Sequence, residues 1–179
     1  MIARSERVSA PVRAHAVAAF EAAGLPLMSH DDRTEAHVQQ SADEGIAIAE
    51  FPTSIEAAKE AKRLGLATIA GAPNYMRGGS QSGNVNVIDL LEADLVDILA
   101  SDYVPRSMLD AVFVMAGDKA LPQDLPQLVQ MVTSTPANAA GLQDRGQLAT
   151  GLNADLIRVR PHGRTAHVIS VWRNGRQVA

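Results

Sequence analysis

The chain has 179 residues, 46% apolar and 20% charged, with a formal net charge of -4; this suits one soluble domain with a real core and excludes a general affinity for nucleic acid or anionic membranes. There is no cysteine, which excludes disulfides, thiolate metal sites and cysteine nucleophiles and makes the cytoplasm the expected location. No apolar run approaches the roughly 18 residues of a membrane span, and Arg4 and Arg7 precede no apolar h-region, so no signal peptide is read.

In chain order, residues 11–23 read as a helix with an apolar face at Val12, Val17 and Phe20, ended by Gly24. Residues 25–28 form a short buried strand, 33–42 a helix closed by the turn Asp43-Glu44-Gly45, and 46–51 the next strand. Residues 54–64 read as a helix: Ser54 is the N-cap, Glu56 lies in the first turn and Gly65 follows the last turn. A third strand spans 66–70, a short helix 87–93 and a fourth strand 96–100. Four apolar runs separated by helices predict a parallel α/β sheet, and their continuity predicts that both faces are covered. Helices over 106–115 and 125–133 follow, and Pro136 opens another that ends at Gly141. The tail is rich in Arg and His and changes character. Residues 146–149, 156–159, 167–172 and 177–178 read as short β segments, with turns at 153–155 and at Asn174-Gly175, a strong hairpin signal.

In a parallel α/β fold, chemistry sits at the C-terminal ends of the strands. Those ends carry His30-Asp31-Asp32, Glu50-Phe51-Pro52-Thr53, Gly71-Ala72-Pro73-Asn74 and Ser101-Asp102-Tyr103. His30 offers an imidazole to a divalent metal, or is a hydrogen-bonded strand-end histidine. Asp102 can bind metal and take a proton from a metal-bound water, or can cap the next helix. Of Asp31 and Asp32, one caps the next helix and the other reaches the site. His37 is not at a ligand spacing from His30 and reads as a surface or supporting residue. Residues 73–84 read as the longest irregular stretch. Amides freed by its glycines, with the Arg77 fork, suit phosphate oxygens; the alternative is a polar loop without a ligand. The stretch is not a P-loop, because Gly-Lys-Ser/Thr is absent.

Together these segments resemble the amidohydrolase superfamily, and within it the phosphonate-metabolism branch. The residues that carry this are Ser29-His30-Asp31-Asp32-Arg33-Thr34, Ala49-Glu50-Phe51-Pro52-Thr53, Gly71-Ala72-Pro73-Asn74, Arg77-Gly78-Gly79-Ser80, Ser82-Gly83-Asn84-Val85 and Ser101-Asp102-Tyr103-Val104-Pro105. The tail from Gly141-Leu142-Gln143-Asp144-Arg145-Gly146 to Ala154-Asp155-Leu156-Ile157 is similar to the general superfamily ending. The resemblance implies the C-terminal half of a (β/α)8 TIM-type barrel, about four parallel βα units over 1–140. A C-terminal β segment of a small composite sandwich follows over 141–179. It implies His30 as a metal ligand and Asp102 as the carboxylate that binds metal and handles the proton of the attacking water. The implied metal is divalent: zinc first, manganese or magnesium next. The implied reaction, in the carbon–phosphorus lyase pathway, is hydrolysis of a ribose phosphonate triphosphate to its 5-phosphate and pyrophosphate. Asn74, Arg77, Gly78, Gly79, Ser80 and Gln81 are then the residues that grip the substrate.

Two departures shape the expectation. The family's His-x-His and its bridging fourth-strand residue would precede Met1, and Gln81 stands where a His is expected. A site with so few protein ligands holds metal weakly. The isolated chain is therefore expected to be an inactive fragment, with a complementing N-terminal half or a second copy as its expected partner. A different class of reading is a non-catalytic half-barrel remnant or interaction module, whose two open sheet edges invite pairing as a dimer or with a partner chain. A third is another amidohydrolase activity, a cyclic amidase or a deaminase. Residues 50–53 argue against it, because they place no His after that strand.

Overall fold

The computed structural model describes residues 2–79 and 83–179. A long helix, α1 (Ile2–Ala22), opens the chain. It begins well before Pro11, which lies inside it; the Ala, Arg and Glu residues upstream are good helix formers and carry the helix across the proline. The side chain of Arg13 hydrogen-bonds Glu44 at 2.5 Å and ties α1 to the end of α2 (Glu35–Asp43).

Four strands form the expected parallel sheet: β1 (Met28–His30), β2 (Ile48–Glu50), β3 (Ala67–Gly71) and β4 (Ile98–Ala100), in the order β1-β2-β3-β4. β2 and β4 are shorter than their apolar runs, β3 is as long as its run but starts one residue later, and β1 shares only Met28 with residues 25–28, so the first strand lies further along the chain than expected. Between them run α2, α3 (Ile55–Leu64), α4 (Ala72–Arg77) and α5 (Val87–Glu92). The Ser54 hydroxyl accepts the Ala57 N–H at the start of α3, and Gly65 closes it in the left-handed region at φ 79°. Helix α4 lies inside the stretch read as irregular, with Pro73 in its first turn, where a missing N–H costs nothing.

The register divides the sheet into two faces. Ala49, Ala70 and Leu99 point toward the helices: Ala49 meets Val38, Ala57 and Ala61, while Ala70 and Leu99 join Leu90, Leu91, Val112, Met115 and Leu128. On the opposite face Ile48, Ile69 and Ile98 form a separate buried cluster, covered by Ala139 of α8 (Ser134–Ala139). The remaining helices are α6 (Ser107–Met115) and α7 (Leu125–Gln130).

Of the two outer strands, only β4 departs from the expectation of open edges. At β4 both Ile98 and Leu99 are buried, and the Leu99 N–H donates to the Met131 carbonyl at 3.1 Å. The segment after α7 thus covers that edge, a common way to blunt an edge strand. At β1, Met28 is exposed.

The tail is a separate antiparallel sheet of β5 (Leu156–His162), β6 (Thr165–Arg173) and β7 (Arg176–Gln177), with a bulge at Arg158/Val159 and the Asn174-Gly175 turn between β6 and β7. Residues 146–149 are not a strand. Gly146 turns at φ 89°, and a Cβ there would lie 2.9 Å from the Ser134 Cα and the Ala137 Cβ, so the segment packs against α8 instead of extending. The tail is pinned to the body by Asp110 of α6, which is buried and accepts the Ala166 N–H at 2.6 Å. All 20 acidic residues lie at or before Asp155, while Arg158, Arg160, Arg164, Arg173 and Arg176 follow it. Among the described residues, no helix is long and apolar enough to cross a membrane.

Candidate functional site

The four strands are parallel, so their C-terminal ends gather His30, Glu50, Gly71 and, two residues past β4, Asp102 at one end of the sheet. Three of the exits turn through the left-handed region: Asp31 at φ 60°, Phe51 at 54° and Asp102 at 47°. Aspartate tolerates this conformation; a phenylalanine there costs about 1 kcal/mol or more. Such strain at a strand end is a mark of function.

Phe51 uses that turn to stand between the outer exits. Its ring packs edge-on against His30, with centroids 5.5 Å apart. On its other side, a Cβ built on Gly71 would lie 3.7 Å from Phe51 Cε1, 3.6 Å from Asp102 Oδ2 and 3.6 Å from Asn74 Nδ2. Phe51 thus borders the His30 ring and also the space beside Gly71 that Asp102 borders.

The His30 ring is flanked by carboxylates, Asp31 at 3.1 Å from Nδ1 and Glu50 at 3.9 Å from Nε2. Neither Asp31 nor Asp32 caps the next helix, which corrects that expectation: the Thr34 hydroxyl does so, accepting the His37 N–H. Asp31 stays with His30. Asp32 is buried and accepts a hydrogen bond from Ser29 Oγ at 2.5 Å. His37 has a local part, its Nδ1 accepting the Arg33 N–H at 3.4 Å. Asp102 is not a helix cap either; the position before α6 is Arg106.

Arg77 donates to Asn74 Oδ1 at 2.6 Å and lies over the Tyr103 ring, 5.8 Å from its centroid. The N–H groups of Gly78 and Gly79 donate to the Tyr75 and Asn74 carbonyls, at 3.0 and 3.1 Å, and close α4. The glycine amides are thus used in capping, and the cationic group of this loop is Arg77. Ser80 and Gln81 lie outside the described residues.

Glu50, Phe51 and Tyr103 are members of the cluster that the reading of single candidate residues passed over. The signal for Glu50 was its register: it sits directly across from His30. A divalent metal does not fit the described residues by themselves, because no group of three or more His, Asp or Glu side chains among them is placed to hold an ion. A cleft of about 690 Å³ lies at the other end of β1, between Val17, Glu21, Leu25, Glu44 and Asn138, and none of the strand-end residues lines it.

The fold, a four-stranded parallel sheet with polar strand exits and a small antiparallel sheet after it, is similar to that of solved amidohydrolases. An amidohydrolase from Thermotoga maritima MSB8 matches 86% of this chain and 43% of its own, with a TM-score of 0.63 and 23% identity. An adenosine deaminase from Xanthomonas campestris, solved with bound zinc, matches 92% of this chain and 47% of its own, with a TM-score of 0.60 and 16% identity. In sequence the chain is 45% identical over 177 residues to the alpha-D-ribose 1-methylphosphonate 5-triphosphate diphosphatase of Escherichia coli (strain K12). That match covers 99% of this chain and 47% of the relative, so the chain spans about half the length of the curated relative it matches. The resemblance to the phosphonate-metabolism branch of the amidohydrolases thus holds along the whole chain. No family profile matches it.

Proposed function

We propose that the chain supplies half of a hydrolase barrel of the phosphonate-metabolism branch. In this reading residues 1–140 are the last four βα units of a (β/α)8 barrel, and residues 141–179 are part of a composite β-sandwich. The reaction is hydrolysis of alpha-D-ribose 1-methylphosphonate 5-triphosphate to the 5-phosphate and pyrophosphate. The observation that carries this is the 45% identity over 99% of the chain. The gathering of His30, Glu50 and Asp102 at one end of the parallel sheet supports it.

Asp102 receives the proton of the attacking water. Arg77 offers its guanidinium to phosphate oxygens, as the fork geometry favours. A divalent metal, zinc first and manganese or magnesium next, would take His30 and the Asp102 oxygen other than the one beside Gly71, and needs further ligands beyond the described residues. A complementing N-terminal half, or a second copy, is the proposed source of those ligands. The incomplete ligand set also favours a second reading, a non-catalytic half-barrel that serves as an interaction module.

The test is pyrophosphate release with zinc or manganese, for the chain alone and with its complement. The chain alone should show no useful turnover. The complemented pair should turn over, and Asp102→Asn should lower its rate by about 100-fold or more, the usual loss on removing a general base. Complexes that form but never turn over would leave the interaction module. Turnover by the chain alone would place every catalytic group within these residues or across a homodimer.

A further inference from the structure

Gly71 ends β3 on the face shared with His30 and Glu50, and it is buried. Its φ is not in the left-handed region, so the backbone does not require glycine there. What the missing side chain leaves is room for one methyl-sized group, such as a single hydroxyl. The nearest atoms to its absent Cβ are Asn74 Nδ2 and Asp102 Oδ2, each at 3.6 Å, and Phe51 Cε1 at 3.7 Å. The notch is therefore walled by one amide donor, one carboxylate acceptor and one aromatic edge.

The direction of the Asn74 amide is fixed chemically. Arg77 can only donate, and its Nη2 lies 2.6 Å from one end of that amide. That end must be the oxygen, and the NH2 group must face the notch. Arg77 is itself braced on the Tyr103 ring, next in sequence to Asp102. Arg77 thus acts as a positioning residue through Asn74, and the donor and acceptor about the notch are both preset.

A ligand group that satisfies both must accept from Asn74 and donate to Asp102. A hydroxyl does so; a phosphate oxygen meets only the donor and is repelled by the carboxylate. We propose that the notch above Gly71 is the subsite for a sugar hydroxyl of a pentose phosphate, whose carbon face rests on Phe51. This rests on the reading of the substrate as a ribose derivative and adds where, and by which groups, the sugar is held.

The test is a titration of the nitrogen-15-labelled chain with D-ribose 5-phosphate, and separately with inorganic phosphate, followed by NMR. Ribose 5-phosphate should shift the Asn74 side-chain NH2 and the Gly71 amide, and inorganic phosphate should not. Gly71→Ala places a methyl in ordinary contact with its three neighbours. It should keep the spectrum of a folded chain and weaken ribose 5-phosphate at least tenfold. Asn74→Asp, which removes the donor at constant shape, should do the same and decides the matter if Gly71→Ala unfolds. No shift with ribose 5-phosphate, equal shifts with inorganic phosphate, or folded variants that bind within twofold of the parent would each overturn the subsite. Binding at the notch without pyrophosphate release by the complemented chain would remove the hydrolase and keep the subsite. Release with a KM unchanged by either variant would do the reverse.

Discussion

The strands of the parallel sheet are three to five residues long and mostly buried, whereas β5 and β6 run seven and nine residues and stay largely exposed. The short strands are held by what lies on them: Leu91, Met115 and Leu128 are fully buried against the helix-covered face. The long strands are held mainly by one another, and a single buried carboxylate, Asp110, receives the Ala166 N–H that faces the body. Strand length is thus a poor guide to where stability resides. Packing on a sheet face, rather than the ladder, carries most of the free energy.

The largest effect should come from emptying the packed face. Leu91→Ala should cost about 3 kcal/mol, the usual loss for a buried leucine, read as a lower urea midpoint. Loss of protection confined to the tail sheet would mean that the two regions are not ranked as described. Asp110→Ala leaves the Ala166 N–H buried and unpaired, which costs about 2 kcal/mol. Hydrogen exchange should speed up about 30-fold for β5 and β6 amides while β1 to β4 stay unchanged. An equal rise in both sheets would break the comparison.

The smallest effect at neutral pH should appear at Tyr75, which donates to Asp118 at 3.0 Å. Burial first, then the hydrogen bond to Asp118 and its charge, push the Tyr75 phenol up to about 12, while Arg164 at the tip of the β5–β6 hairpin pulls the other way. The folded value lies above the roughly 10 of a free tyrosine. The stabilisation is therefore complete below about pH 10 and is lost as the pH climbs toward 12. Tyr75→Phe should flatten the fall in thermal midpoint across that window. An unchanged alkaline slope would show that the phenol does not titrate with unfolding.

Much of this architecture was legible in the residues. The apolar runs announced four parallel strands, because only a sheet covered on both faces tolerates them, and Ser54 with Gly65 marked both ends of α3. Helix α4 was missed although Pro73 sits in its first turn, since the glycines after it suggested loop throughout. The strand read at 146–149 failed on a long-range fact, the contact of Gly146 with α8. At the site, the parallel order alone put His30 and Asp102 at one end. The packing of Phe51 on His30 could not be read, because Phe51 turns at φ 54°, a conformation that phenylalanine does not signal.

The placement of every acidic residue at or before Asp155, with five arginines after it, has a consequence for handling the molecule. Near its isoelectric point of about 5.7 the net charge vanishes, but the charge is sorted and not absent. The acidic stretch and the arginine-rich tail should then each be retained at low ionic strength, by anion- and cation-exchange resins respectively. Raising salt to about 0.1 M shortens the reach of these charges to about 10 Å. Both modes of retention should then fade together, and with them the attraction between copies.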